Sequence, residues 1–278
     1  LSGLDGKNPL AFLASLGLLN IVTEASRVAL PKLEWRNVGT FQPVLIDGPD
    51  RETILDLVVA DQAGFEEEVA LDVHYAKATS GAEAHDLKPP PKDLAIYLER
   101  LRAGTRRSMD FAMSFFTDVD RDGSGNTKPT ALHFTAGQQE FLSMVSALQE
   151  GVTRADFEEA LFGPWRYSRP LPVLQWDNSQ ARDYALRATD PSKDKKLGVP
   201  AADWLAFRGL PFLPTAPVRR RGEPALATTG CQGGWKSGTF RWPMWRQPLS
   251  ARTIRSLLTS EELFEMDREV LNLRGISV

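Results

Sequence analysis

The stretch from Trp204 to Gln247 constrains the fold of this chain most, because prolines and glycines recur throughout it. Such residues break helices, so the stretch predicts short elements joined by rigid turns and no long helix. It also holds seven Lys or Arg residues against the single carboxylate of Glu223, together with four of the seven tryptophans. The triplet Arg219–Arg221 is therefore predicted to lie on a loop that can reach into a groove.

Clustered positive charge and aromatic rings suit a nucleic acid, since Arg and Lys neutralise phosphates and aromatic rings stack on exposed bases. The alternative interpretation is structural. Tryptophan and phenylalanine more often pack in a core, and an Arg triplet is often a solvated turn. The combined charge and aromatic pattern favours the nucleic-acid interpretation. The two interpretations make opposite predictions for Trp242 and Trp245.

Charge is distributed unevenly along the 278 residues, although the net charge is only -3. Residues 161–256 hold 16 Lys or Arg and 6 Asp or Glu, a net charge of +10. Residues 1–160 carry a net charge of -10, and residues 257–278 one of -3. Such asymmetry predicts a basic face for a polyanion. We therefore divide the chain into an acidic α+β portion (1–160), a basic nucleic-acid-facing portion (161–256) and a C-terminal helix (257–278).

The composition is that of an ordinary globular protein, with 42% hydrophobic and 25% charged residues. The single cysteine, Cys231, excludes a disulfide framework and a CxxC-type zinc site, and it predicts a reducing compartment. No apolar run approaches the roughly 20 residues of a membrane span. These features predict a cytoplasmic location.

Local patterns predict an α+β fold of mixed short strands and helices around a buried N-terminal helix, followed by a basic, Pro/Gly-rich C-terminal half. Asn8 followed by Pro9 is a helix-start signature. The helix is predicted to run to about Arg27, and its apolar residues cover nearly every face, which indicates burial. Residues 30–38 and 41–48 then predict two short strands.

Several later segments have their own local signals. Residues 107–119 alternate Met and Phe on one face, which predicts a half-buried strand. Thr135 followed by Gln138 predicts a capping box at a helix start, where free N–H groups would suit a phosphate. Ser250 and Ser260 are predicted to cap two final helices, the second of them acidic.

An Asp-rich turn follows the predicted strand. Asp118, Asp120 and Asp122 with Gly123 match the first half of an EF-hand calcium loop, but Pro129 stands at the position of the required Glu. A Gly-rich turn is the better interpretation. Two magnesium ions held by these carboxylates would make the protein a metal-dependent nuclease or hydrolase, which is the alternative function.

Signatures of common catalytic sites are missing from the sequence. It has no GxSxG, HExxH, Walker A or GxGxxG motif, and it has only three histidines. His133 has no second His or Cys at ligand spacing and is predicted to be structural. The sequence predicts a protein that is not an enzyme.

Three stretches together resemble subunits of type I CRISPR effector complexes. They are LDGKNPLAFLASLGLLNIV near the start, PTALHFTAGQQEFL in the middle, and a set that runs from QWDNSQARDYALRATDPS through GLPFLPTAPV and LATTG to FRWPMWRQPLSARTIRSLL. Within that group the chain resembles large-subunit-like proteins of the type I-G (formerly I-U) branch, or a related accessory subunit of the same locus. The resemblance covers about half of the chain and rests on packing and glycine positions, not on catalytic signatures.

The resemblance implies a non-catalytic subunit of a guide-RNA surveillance complex (Cascade) in antiviral defence. Its partners would be the CRISPR backbone subunits, the guide RNA, target DNA and a separate helicase-nuclease that the complex recruits. It implies no cofactor, no metal and no membrane. Recognition of the motif adjacent to the target requires contacts to base edges.

The predicted nucleic-acid contacts combine the two glutamines of the predicted helix start with basic residues of portion 161–256 and two tryptophans beside them. They are Gln138, Gln139, Arg166, Arg169, Lys193, Lys195, Lys196, Arg219, Arg220, Arg221, Lys236, Arg241, Trp242, Trp245 and Arg246.

Overall fold

The computed structural model of this chain has an α+β fold and describes residues 1–26, 30–66, 68–78, 80–134, 139–179, 197–232, 239–260 and 271–272. Its helices are α1 (Pro9–Ala25), α2 (Arg51–Ala63), α3 (Pro91–Leu101), α4 (Arg106–Phe115), α5 (Phe141–Gly151), α6 (Arg154–Phe162), α7 (Pro200–Gly209) and α8 (Ala251–Leu258). Its strands are β1 (Lys32–Asn37), β2 (Phe41–Ile46), β3 (His74–Ala76), β4 (Glu83–His85), β5 (Phe116–Arg121), β6 (Thr127–Pro129), β7 (Thr215–Arg220), β8 (Glu223–Thr228), β9 (Cys231–Gln232), β10 (Thr239–Phe240), β11 (Leu249–Ser250) and β12 (Leu271–Asn272).

The apolar helix α1 forms the centre of the core. Asn8 caps it, because the side-chain oxygen of Asn8 accepts a hydrogen bond from the backbone N–H of Leu10 at 2.9 Å. Residues 10–22 are all buried, so the prediction of a buried N-terminal helix is confirmed. The main partner of α1 is α7, and α2 and α8 also contact it.

The strands form small antiparallel sheets around this helical core. β1 pairs with β2 over its whole length, from Lys32 opposite Ile46 to Asn37 opposite Phe41, and β11 joins the other edge of β1. β3 with β4, β5 with β6 and β7 with β8 form separate hairpins, and β10 lies between β9 and β12. The small sheets and the helices between them confirm the predicted α+β class.

The predicted strand over residues 107–119 is wrong for most of its length. The segment is mainly helix α4, and β5 begins only at Phe116. Ser108 and the two phenylalanines inside α4 are buried at helical spacing, whereas Met109 and Met113 are 38% and 57% exposed. Because the buried side chains follow the helical period, the alternation of Met and Phe does not mark one face of a strand.

The helix predicted to begin after Thr135 begins at Phe141 as α5. Residues 135–138, and with them the predicted capping box, lie outside the described residues. The carboxylate of Asp86 binds the start of α5, because the backbone N–H of Phe141 donates to Oδ1 at 3.0 Å. A carboxylate of the protein itself therefore occupies this helix end, where the sequence predicted a phosphate.

The boundary predicted near residue 160 does not divide the core. One cluster of buried apolar side chains extends from Leu4 to Leu258. Helix α7 of the basic portion packs against α1, α5 and α6 of the acidic portion. The charge asymmetry therefore does not correspond to two separate cores. Most of the acidic helix predicted after Ser260 lies outside the described residues, but Leu271 and Asn272 form strand β12, so the prediction is wrong at these two positions. None of the described helices is long and apolar enough to cross a membrane.

Candidate nucleic-acid interface

The Arg219–Arg221 triplet lies at the tip of the β7–β8 hairpin, so two of the three arginines belong to a strand and not to an irregular loop. The strands pair in full register up to Arg220 opposite Glu223, which leaves Arg221 and Gly222 as the turn. Both turn residues have positive φ angles, 53° and 88°, as a type I′ turn requires. Glycine adopts this conformation freely, whereas for arginine it costs about 1–2 kcal/mol.

All three arginines of the tip are exposed. The guanidinium of Arg219 donates a hydrogen bond to the carbonyl oxygen of Gly222 at 3.1 Å, which holds this side chain beside the turn. Glu223 is the one carboxylate in the sequence of the hairpin. The hairpin therefore presents an excess of positive charge at its tip.

The base of the hairpin is fixed to β5 and α4. Asp120 is buried; its Oδ2 accepts a hydrogen bond from the backbone N–H of Leu226 at 3.0 Å, and its Oδ1 lies 2.9 Å from the ammonium of Lys128. Thr215 donates its hydroxyl to the carbonyl oxygen of Met113 at 2.8 Å. These bonds hold the base of the ribbon on the core and leave the arginines at the exposed end.

The Asp-rich turn closes the β5–β6 hairpin, and the prediction of a Gly-rich turn is confirmed. Oδ1 of Asp122 accepts hydrogen bonds from the backbone N–H groups of Ser124 and Asn126 at 2.8 and 3.0 Å. The carboxylate of Asp120 binds the backbone N–H of Leu226 and the ammonium of Lys128. In the described part of the chain, no group of three or more His, Cys, Asp or Glu side chains could hold a metal ion. The carboxylates of Asp120 and Asp122 therefore hold the two hairpins, and the geometry gives no support to the alternative nuclease function.

Trp245 belongs to the core, so the prediction that it stacks on bases is wrong. It is 8% exposed, its indole N–H donates to the carbonyl oxygen of Leu33 at 2.6 Å, and its ring meets that of Trp35 edge-on at 6.2 Å between centroids. Trp242 is half-buried, and its ring stacks on Phe240 at 5.2 Å between centroids. A second aromatic ring of the protein thus already covers one face of Trp242.

Two of the predicted basic contacts are paired with carboxylates of α6. The guanidinium of Arg166 lies 3.3 Å from the carboxylate of Glu159, and that of Arg169 lies 3.0 Å from Asp156. Arg166 is exposed, and Arg169 is half-buried. Their charges are therefore partly compensated within the protein.

The remaining predicted contacts within the described residues are Gln139, Arg241 and Arg246. Gln139 is exposed and accepts a hydrogen bond from the side chain of Gln175 at 3.2 Å. Arg246 is exposed, and Arg241 is half-buried, with its backbone N–H bound to the carbonyl oxygen of Gly230. Outside the described residues lie Gln138, Lys193, Lys195, Lys196 and Lys236.

One arginine of the basic stretch is fully buried. Arg208 in α7 has 0% exposure; its Nε and Nη2 donate to the two carboxylate oxygens of Asp61 at 2.7 and 2.9 Å, and Nη2 also donates to Glu24 at 2.9 Å. Its guanidinium lies over the ring of Phe65, 4.6 Å from the centroid. The two carboxylates compensate the burial of the charge, so Arg208 is part of the core and does not add to the basic surface.

His133 has the structural environment that was predicted for it. It is 2% exposed, and its Nε2 lies 2.9 Å from Oδ1 of Asp86, the oxygen that also binds α5. Burial lowers the pKa of His133, and the bond with Asp86 offsets this only in part. Burial alone would raise the pKa of Asp86, but its hydrogen bonds with His133 and Phe141 leave that pKa lowered. The pair is therefore a neutral imidazole that donates to an ionised carboxylate.

Sequence reasoning missed a pair of acidic residues, Asp177 and Asp203. Asp203 lies in the first turn of α7 with 0% exposure; its Oδ1 accepts a hydrogen bond from the backbone N–H of Leu174 at 2.9 Å, and its Oδ2 has no partner. Burial raises the pKa of Asp203 well above its ordinary value, and the charge of Asp177 raises it further. The sequence contained one signal for the burial of Asp203, because it is a single acidic residue inside the apolar run VPAADWLAF.

Asp177 is held at one oxygen only. Its Oδ1 accepts hydrogen bonds from the side-chain amide of Asn8 at 2.8 Å and from the backbone N–H and hydroxyl of Ser179 at 2.9 and 2.7 Å. Its Oδ2 is buried without a partner. Because Asn8 also caps α1, this bond joins the first helix to the segment that precedes residue 180.

Comparison with models of known protein families found no match, and comparison with curated proteins found none either. The similarity to type I-G subunits therefore stays a prediction. The geometry of the β7–β8 hairpin is the feature on which a functional proposal rests.

Proposed function

We propose that this protein is a non-catalytic, nucleic-acid-binding subunit of a CRISPR surveillance complex that contacts target DNA through the tip of the β7–β8 hairpin. The observation that carries the proposal is the position of Arg219–Arg221, three exposed arginines at the end of a two-stranded ribbon whose base is fixed to the core. The major groove of B-DNA is about 12 Å wide and admits such a ribbon.

The turn conformation of Arg221 supports a functional role for this residue. A type I′ turn favours Asn, Asp or Gly at its first central position, yet arginine stands there at a φ of 53°. Residues held in costly backbone conformations are concentrated at functional sites. A positive charge at the outermost point of the hairpin is the property that arginine adds and asparagine lacks.

Phosphate contact and base reading are the two ways in which these arginines can act. Contacts to phosphates position a protein without sequence preference, whereas an arginine that binds the O6 and N7 edge of guanine discriminates between bases. As a subunit that helps to recognise the target-adjacent motif, the protein would use at least one arginine of the tip in the second way.

The deciding experiment replaces Arg219, Arg220 and Arg221 together by Ala. Affinity for fluorescein-labelled duplex DNA is measured by anisotropy over a range of salt concentrations, with the chain alone and in its co-purified complex. Each lost phosphate contact lowers the slope of log K against log salt by about 0.9, so the triple variant loses up to about 2.7. Duplexes with and without the target-adjacent motif reveal whether the loss depends on sequence.

A matched control removes the same charge from other surfaces. Arg51, Arg102 and Arg154 are each paired with an acidic side chain, Glu158, Glu99 and Glu52 respectively. Their joint replacement by Ala changes the net charge equally and is expected to preserve most of the salt slope. Unchanged affinity and salt slope in the hairpin variant would show that the hairpin is not a nucleic-acid surface.

Membership of the complex is tested separately. Tagged CRISPR backbone subunits, expressed with the whole locus, are expected to co-purify this protein together with the guide RNA. Recovery of the protein only as a free chain would contradict its membership of a CRISPR complex. DNA binding by the hairpin would then still be tested by the salt slopes.

A further inference from the structure

Glu223 is the one acidic residue in the sequence of the β7–β8 hairpin, and it lies at the basic tip. It is exposed and stands directly opposite Arg220, in the last pair of the ribbon before the turn of Arg221 and Gly222. Side chains that are directly opposite each other lie about 5 Å apart at their Cβ atoms. A carboxylate at this point repels phosphate, so it works against binding that uses phosphate contacts alone.

No contact in the described part of the chain gives Glu223 a structural role. An ion pair with the arginine opposite it would be the ordinary explanation for a carboxylate at this position of a ribbon. Among the described residues, however, no basic side chain forms an ion pair with Glu223, and no donor forms a hydrogen bond with its carboxylate. The exposed carboxylate is therefore accessible to a ligand of the tip.

Alternation along the strands divides the arginines between the two faces of the ribbon. Arg219 shares one face with Pro224, which is paired with it, and Arg220 shares the other face with Glu223. A ribbon that enters the major groove by its tip thus presents a basic side chain to the phosphates on each side. Its outermost residues, Glu223 among them, meet the base edges.

The core of the protein holds the strand that carries Glu223. Three residues further along β8, the backbone N–H of Leu226 donates to the buried carboxylate of Asp120 at 3.0 Å. At the base of β8, the hydroxyl of the buried Thr228 accepts a hydrogen bond from the backbone N–H of Ala131 at 2.9 Å. Side chains that recognise a ligand are placed most precisely on such a supported strand.

The chemistry of the tip matches the major-groove edge of a G·C pair. That edge shows two adjacent acceptors, N7 and O6 of guanine, followed by the N4 donor of cytosine. An arginine beside a carboxylate has the complementary order, because the guanidinium donates two hydrogen bonds and the carboxylate accepts one. An A·T pair shows an acceptor, a donor and an acceptor in turn, which does not match.

We infer that Glu223 is a specificity-determining residue whose carboxylate accepts a hydrogen bond from N4 of a cytosine, while an arginine of the tip binds the guanine of the same pair. The inference rests on the proposed function, since it requires the hairpin to enter the major groove of target DNA. It adds the identity of one base pair to that proposal. It also gives the carboxylate a second effect, because Glu223 lowers the affinity for duplexes that offer it no donor.

The test begins with a pool of DNA duplexes that share a randomised central segment. Duplexes bound by the whole chain, alone and in its co-purified complex, are recovered and sequenced. The wild type is expected to enrich a C·G pair at one position. Anisotropy titrations then compare the enriched duplex with one that has T·A at this position. The wild type is expected to bind the enriched duplex about 5- to 100-fold more tightly, the usual discrimination by a good base contact.

Glu223→Ala is expected to lose this preference and to bind the T·A duplex at least as tightly as the wild type does, because the repulsion of phosphate disappears as well. Glu223→Gln keeps an acceptor without the charge and is expected to retain part of the preference. The control is Glu52→Ala, which removes the same charge from an exposed position of α2 and is expected to keep the full preference. Urea denaturation confirms that each variant is folded.

Three results overturn the inference: a wild type without base preference, a wild type that prefers another pair at this position, and a preference that Glu223→Ala retains in full. In each of these cases, a salt slope lost by the triple variant of Arg219–Arg221 still supports DNA binding by the hairpin. An unchanged salt slope in the triple variant overturns the proposed function, and the inference about Glu223 with it.

Discussion

Gly17 of α1 and Gly209 of α7 lie in contact where the two helices cross. A Cβ atom on Gly209 would lie 3.1 Å from the backbone nitrogen of Gly17 and 2.4 Å from the carbonyl oxygen of Leu13. A Cβ atom on Gly17 would lie 1.8 Å from the carbonyl oxygen of Leu205. The two backbones therefore touch without side chains between them, and this contact places the first helix of the acidic portion against a helix of the basic portion.

Replacement of Gly17 by Ala is expected to destabilise the protein. Alanine favours a helix over glycine by about 1 kcal/mol, but the added methyl group collides with a backbone atom of α7 that cannot move without separating the helices. Overpacking of this kind costs about 1–3 kcal/mol or more. We expect a net loss of about 2 kcal/mol and a fall in Tm of about 4–8 °C, measured by calorimetry.

Gly123 provides the control for this substitution, because a Cβ atom there has nothing within 4 Å. Gly123→Ala is expected to change the free energy of unfolding by less than about 0.5 kcal/mol. A Gly17→Ala variant as stable as Gly123→Ala would show that the two helices are not packed backbone to backbone.

The sequence allowed α1 to be predicted in full, including its cap and its burial, because apolar residues on every side of a helix require partners on every side. It did not allow the partner to be identified. Helix α7 ends at Gly209, inside a stretch whose prolines and glycines predicted turns, and its Arg208 was counted as surface charge. The pairing of apolar helix faces depends on contacts between residues far apart in sequence. The burial of a charged side chain such as Arg208, which pairs with Asp61, depends on such contacts too.

The candidate nucleic-acid interface could likewise be predicted only in part from the sequence. The strands of the β7–β8 hairpin were not predicted, because the arginine triplet was assigned to a loop. Only the tight turn follows from local sequence, since glycine next to the triplet marks such a turn. The role of Trp245 does not, because an aromatic residue in a basic stretch has the same local pattern whether it stacks on bases or on Trp35. Asp203 was missed because its partner atoms lie on a segment about 30 residues earlier in the chain.

Trp245→Ala is expected to lower the free energy of unfolding by about 3–5 kcal/mol, the usual cost of removing a large ring from a core. Urea denaturation measures this loss directly. The fraction of the variant that stays folded is expected to bind DNA as the wild type does. A variant of unchanged stability that binds single-stranded DNA about 1–3 kcal/mol more weakly would instead identify a stacking residue.

Stability is expected to fall as the pH falls from about 7 to 5, partly because of His133. Its pKa is lowered in the folded protein, whereas in the unfolded chain it lies near 6.5. The unfolded state therefore binds a proton in this range and the folded state does not, so each such histidine lowers the free energy of unfolding by up to about 1.4 kcal/mol per pH unit. The lowered pKa of Asp86 acts in the same direction, but only below about pH 4.

His133→Gln tests this assignment, because the glutamine amide can still donate to Asp86 but does not titrate. Urea denaturation at pH 7, 6 and 5 is expected to give a flatter profile than that of the wild type. Some slope remains, since burial also lowers the pKa of His85. A wild-type slope retained in the variant would exclude His133 as a source of the pH dependence.

Arg221→Asn is expected to change stability and affinity in opposite directions. Asparagine tolerates a positive φ better than arginine does, so the turn becomes less strained and the free energy of unfolding rises by about 0.5–1 kcal/mol. The substitution also removes one positive charge from the tip, so the slope of log K against log salt for duplex DNA falls by about 0.9.

The control is Arg219→Asn, which removes the same charge from a strand position, where asparagine is disfavoured and no turn strain is relieved. Both variants are expected to bind DNA more weakly, but only Arg221→Asn is expected to unfold at a higher urea concentration. If Arg221→Asn gains stability and keeps the DNA affinity and salt slope of the wild type, the arginine is merely tolerated in the turn, and the strain at this position has no functional meaning.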